Sequence, residues 1–77
     1  MYTVEMADAF HAIIPPKNFG VVLYDSDDYI TLKVETQELL ALSEEDRQPA
    51  VDYINNVKKT LESFGAIVLI VREALPE

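Results

Sequence analysis

The stretch FGVVLYDSDDYITLKV, residues 19–34, decides the fold. Two runs rich in β-branched and aromatic residues, Phe19–Tyr24 and Tyr29–Val34, flank the turn-favouring cluster Asp25-Ser26-Asp27-Asp28. The spacing predicts an antiparallel hairpin in which Tyr24 pairs with Tyr29, Leu23 with Ile30, Val22 with Thr31, Val21 with Leu32, Gly20 with Lys33 and Phe19 with Val34. One face of that ribbon (Phe19, Val21, Leu23, Ile30, Leu32, Val34) is then wholly apolar, and the other (Gly20, Val22, Tyr24, Tyr29, Thr31, Lys33) is mixed. A slip of one residue destroys this partition, because side chains alternate between faces.

Downstream of the hairpin, Ala50, Ile54, Val57, Leu61 and Phe64 recur at intervals of 4, 3, 4 and 3, the stripe of an amphipathic helix, and Val51 widens it. Pro49 is tolerated in a first helical turn, which points to Asp46 as N-cap and to a helix at about 47–64. Glu44 and Glu45 suit the positive end of its dipole, and Gly65 supplies the left-handed residue that ends it. At about two heptads, the stripe reads as core rather than coiled coil. The uninterrupted run AIVLIV at 66–71 is then expected to be a strand buried on both faces, leaving solvent at Arg72 and Glu73.

Between hairpin and helix, Thr36–Leu42 looks like a short helical connector, with Thr36 as its cap. Upstream, Asp8 capping Ala9, Phe10, Ile13 and Ile14 before Pro15-Pro16 suggests a helix near 3–14. A strand at Ala9–Ile14 turning into Phe19 is the alternative. The expected fold class is α+β, or α/β in two layers: a small, mainly antiparallel sheet of three or four strands packed on one principal helix at about 47–64, with the short amino-terminal helix added. Residues 1–77 form a single acidic domain.

Composition narrows the functional classes. The chain holds 22 Val, Ile and Leu residues, enough for a core without metal or disulfide. It has no cysteine, which removes thiolate chemistry and Cys-based zinc sites and fits a reducing compartment. The amino terminus MYTVEMADAF lacks the pattern of a secretory signal, and AIVLIV falls far short of the roughly 20 residues of a membrane helix. A soluble, cytoplasmic protein is the expectation.

Fourteen acids face six bases for a net charge of −8, and the imbalance is local: residues 25–52 hold nine acids against Lys33 and Arg47, a net of −7. Such a field repels nucleic-acid backbones and anionic lipid, and it attracts a basic protein surface. The plainer reading is that the acids confer solubility.

Catalysis has little to work with. His11 is the sole histidine, no serine lies in a nucleophile elbow, and two glycines (Gly20, Gly65) make no phosphate loop. The Asp25-Ser26-Asp27-Asp28 cluster fails as a calcium loop, since Tyr29 and Ile30 occupy the next ligand position and the glycine position. Glu44 and Glu45 read as a charged helix start. No enzyme activity, cofactor or metal is expected.

Two features remain. Tyr24 and Tyr29 lie on the sheet face turned away from the helix, beside three carboxylates. They form either a stabilising cross-strand pair worth under ~1 kcal/mol or a binding surface for Lys- and Arg-rich protein. The principal helix also covers only one face of AIVLIV, which leaves the other to residues 1–14, a second copy or a partner.

The expected function is a non-enzymatic modulator or inhibitor that docks its acidic face on a basic, nucleic-acid-binding surface. Size and charge liken it to small acidic inhibitors from viruses and mobile elements. Its partner-binding residues would be Tyr24, Asp25, Asp27, Asp28 and Tyr29, supported by Glu44, Glu45 and Asp46. The alternative is a homo-oligomeric structural or assembly subunit, such as a homodimer joined through an apolar sheet face.

Overall fold

The hairpin forms with its faces sorted as expected, but two residues away from the expected register. In the computed structural model, which describes residues 2–17 and 19–73, β1 (Val22–Asp25) pairs antiparallel with β2 (Ile30–Glu35). Leu23 lies opposite Leu32, Tyr24 opposite Thr31 and Asp25 opposite Ile30. The predicted pairing of Tyr24 with Tyr29 is therefore wrong. The reason lies at the tip: the Ser26 N–H donates to the Tyr29 carbonyl (2.9 Å), so the chain reverses at Asp27-Asp28 rather than one residue earlier. Moving the tip by one residue shifts the ladder by two, and a shift of two leaves every side chain on its own face. Phe19, Ile30, Leu32 and Val34 are accordingly buried, with Val21 and Leu23 packed against them.

The principal helix α3 spans Glu44–Glu62, starting three residues before the expected 47–64. Ser43, not Asp46, is its N-cap: the Ser43 Oγ accepts from the Asp46 N–H (3.3 Å). Glu44, Glu45 and Asp46 then fill the first turn, where carboxylates meet the unpaired N–H groups and the positive end of the dipole. Pro49 consequently sits inside the helix and not in its first turn. It offers no N–H to the Glu45 carbonyl, a loss that water can make good because Glu45 is exposed. The buried stripe is Ala50, Tyr53, Ile54, Val57 and Leu61. Phe64 falls outside it and is exposed, because the helix stops at Glu62 and the chain turns through Gly65, whose φ of 88° only glycine adopts freely.

The amino-terminal ambiguity resolves as a helix, α1 (Val4–Ala12), capped by Thr3 rather than Asp8: the Thr3 Oγ1 accepts from the Met6 N–H (3.2 Å). α1 packs on α3 and contributes Met6 to the core. The connector is α2 (Thr36–Ala41), with Thr36 as its first residue and Glu35 at the cap position. Arg47 of α3 reaches back to α2, its Nη2 donating to the Leu42 carbonyl (3.1 Å).

β3 (Val68–Glu73) pairs parallel with β2, Ile30 matching Val68 and Leu32 matching Ile70, in the order β1-β2-β3. The described residues thus form an α+β fold whose three-stranded sheet is mixed, with one antiparallel and one parallel pair. Parallel neighbours require a crossover, and α2 with α3 provides it. The expectation that AIVLIV is buried on both faces is overturned: Val68 is buried, while Ile67, Leu69, Ile70 and Val71 are exposed. The physical reason is that α1 and α3 both lie on the side of Ile30, Leu32 and Val34. The shortest extent of the molecule is 14 Å, which leaves room for one helical layer on one sheet and nothing beyond.

Candidate functional site

The uncovered side of the sheet is the largest feature that folding leaves unexplained. Alternation places Val22 and Tyr24 of β1, Thr31 and Lys33 of β2, and Leu69 and Val71 of β3 on it. Tyr29 continues the central row of β2 and Ile67 the outer row of β3 toward the hairpin tip. Six of these eight side chains are large and apolar or aromatic, and all six are substantially exposed, from 39% at Tyr29 to 61% at Ile67. Tyr24, Thr31, Lys33 and Val71, drawn from all three strands, line a shallow depression of about 380 Å³. Soluble monomers seldom present contiguous apolar surface of this kind unless something binds it.

The two tyrosines share this face without standing opposite each other. Tyr24 faces Thr31 and Tyr29 faces Ser26, so the rings are diagonal neighbours, at a spacing that aromatic side chains can span. Lys33 near the centre pairs with Glu35, Nζ to Oε1 3.9 Å. The surface is therefore apolar with one part-screened cation, and the hairpin tip borders it with carboxylates.

Sequence reasoning grouped eight residues, and all eight are exposed. Tyr24, Asp27, Asp28 and Tyr29 gather at the hairpin tip beside the open face. Asp25 points the other way: it lies opposite Ile30 on the core-facing side of β1. Its charge acts on Tyr2, whose phenol is pushed above its ordinary value of 10.0, first by burial and second by Asp25. Glu44, Glu45 and Asp46 are not part of the same patch. β2 leaves the tip and α3 returns the chain to it, so the start of α3 lies at the far end of the sheet. At 19 residues α3 spans about 28 Å from end to end. The acids thus form two groups, one at each end of the domain.

Ile67, Leu69 and Val71 widen the candidate surface and were read from sequence as interior. The signal that could have placed them outside was the shortage of covering elements: one long helix cannot shield both sides of an apolar strand.

Elsewhere, His11 is exposed on α1 with its ring 5.4 Å from that of Phe10. Among the described residues, no three His, Cys, Asp or Glu side chains are grouped to hold a metal ion, and no helix is long and apolar enough to cross a membrane. Comparison with protein-family models, curated proteins and solved structures finds no match to this chain.

Proposed function

We propose that this chain is a non-enzymatic protein-binding module that modulates or inhibits a partner by docking the outer sheet face and the acidic hairpin tip on a basic surface, of the kind that otherwise holds nucleic acid. The observation carrying this reading is the open sheet face, with Tyr24 and Tyr29 exposed on it and Asp27 and Asp28 at its border. An apolar centre supplies affinity, and a charged rim supplies encounter rate and orientation. A net charge of −8 selects a partner with Lys and Arg around its contact area.

Separation of the two acidic groups makes the reading testable. Tagged chain would be used to capture proteins from a cell lysate at low salt, alongside the variants Asp27→Lys/Asp28→Lys and Glu44→Lys/Glu45→Lys. All four positions are exposed, so circular dichroism should match the parent. Reversal at the tip is expected to weaken capture of the same protein by roughly tenfold or more. Reversal at the start of α3 is expected to leave most of it, and rising salt to release it steeply. Capture indifferent to the tip substitutions would rule this surface out.

A further inference from the structure

β3 ends the sheet, and its free edge has a composition unlike the rest of the molecule. The Ile30 N–H donates to the Ile67 carbonyl (2.8 Å), the residue before its ladder partner Val68. In a parallel pair, alternate residues turn both backbone groups to the neighbour. Ile67, Leu69 and Val71 therefore face β2, and Val68, Ile70 and Arg72 turn their N–H and C=O groups outward, where no other described strand pairs with them.

Edges of this sort are normally blunted by lysine, proline, a bulge or a covering element. Among the described residues the run Val68-Leu69-Ile70-Val71 has none of these, and the first charge after it is Arg72. Ile70 shows the gap from the side. It lies on the core face beside Leu32, which is fully buried, yet Ile70 remains 37% exposed because no element among the described residues continues the layer past it.

Charge says what fits there. Residues 63–71 carry no charge at all, and residues 53–77 hold three bases and three acids, whereas 25–52 hold the net of −7. Neither a basic nor an acidic peptide finds a charge to pair with along Val68–Val71. A second copy meets the edge with the same apolar run, and a twofold at Ile70 sets Arg72 against Val68 and Glu73 against Ile67, so that no like charges stand opposite each other.

We propose that β3 is a self-association edge: two copies join antiparallel about a twofold axis at Ile70 and extend the sheet to six continuous strands. The outward groups of Ile70 then bond those of Ile70 in the second copy, Val68 lies opposite Arg72, and Leu69 lies opposite Val71 on the outer face. Both copies keep their helices on one side, so the open apolar faces become contiguous. A strand pair with its flanking side chains buries less than the roughly 1,000 Å² that stable, specific interfaces exceed, so the association is weak and is seen only at high concentration.

The test is the mass of the full chain by sedimentation equilibrium from micromolar to millimolar concentration, at low and high salt. The parent is expected to pass from 8.7 kDa to twice that value, no less readily at high salt. Ile70→Pro removes an N–H that plays no part in the β2 ladder and is expected to hold the chain monomeric. The outer-face pair Leu69→Lys/Val71→Lys sets like charges opposite each other across the seam and should do the same. Leu69→Lys/Val71→Glu sets opposite charges there and should restore the dimer, with the charge pairing weakened by salt. Leu69 and Val71 are half exposed, so these variants keep the fold even if Ile70→Pro does not. A parent that stays monomeric throughout overturns the proposal. So does a dimer that survives Leu69→Lys/Val71→Lys, or one that is dissociated by Tyr24→Lys while surviving Ile70→Pro, since that would be a face-to-face dimer.

Discussion

Leu32→Ala is expected to remove much of the fold's stability at room temperature. Leu32 is at the middle of the central strand, between Leu23 and Ile70, and is fully buried in one core with Val57 and Leu61. Truncating a buried leucine removes its transfer free energy and leaves a cavity, together about 2–5 kcal/mol. A domain of this size buries only about 60% of the surface its unfolded chain exposes, and this one has no disulfide to compensate. Its stability then sits near the low end of the usual ~5–15 kcal/mol, so the substitution removes much of it. Urea unfolding followed by circular dichroism measures the loss. Leu69→Ala on the open face is the control and should cost under about 1 kcal/mol. Equal costs at the two positions would mean that the sheet is covered on both sides.

Tyr24→Ala is expected to weaken binding to the captured partner by about 2 kcal/mol, roughly thirtyfold, without altering stability to the same degree. Tyr24 is half exposed on the outer face, where it lines the depression from the β1 side. A tyrosine there offers rigid amphipathic area at little entropic cost, which is why such residues dominate interface energetics. Tyr24→Phe should retain most of the affinity, since the ring supplies the buried area. Titration calorimetry with the purified partner separates the two variants. Equal affinity for parent and Tyr24→Ala would remove the sheet face from the interface and leave only the charged tip.

What the sequence could and could not reveal follows from how each feature is encoded. Face assignment in the hairpin was legible because burial demands alternation, and alternation survives any even shift. Register was not, because Phe19–Tyr24 and Tyr29–Val34 remain well sorted when slid by two. The decision lay in a single backbone bond from Ser26 to Tyr29. The helix was legible from its stripe at 3.6-residue spacing. Its start was not, because Pro49 points to a first turn at 47–49, whereas the Ser43 cap with three acids behind it outweighs one missing hydrogen bond at an exposed carbonyl.

β3 was the hardest element. Apolar content marks a strand that sits in a sheet but does not say whether both of its faces are covered, so Ile67, Leu69 and Val71 read as interior although they lie on the open face. The grouping of acids failed for a different reason. Net charge over residues 25–52 is additive in sequence, whereas the crossover through α2 and α3 carries Glu44, Glu45 and Asp46 to the opposite end of the domain.

The most direct measurement is amide hydrogen exchange of the chain, free and saturated with its captured partner. Slowed exchange at Tyr24, Asp27, Asp28 and Tyr29, with α1 and the exposed side of α3 unchanged, is the predicted footprint. Protection confined to α1 or α3, with the hairpin tip exchanging as fast as in the free chain, would contradict it.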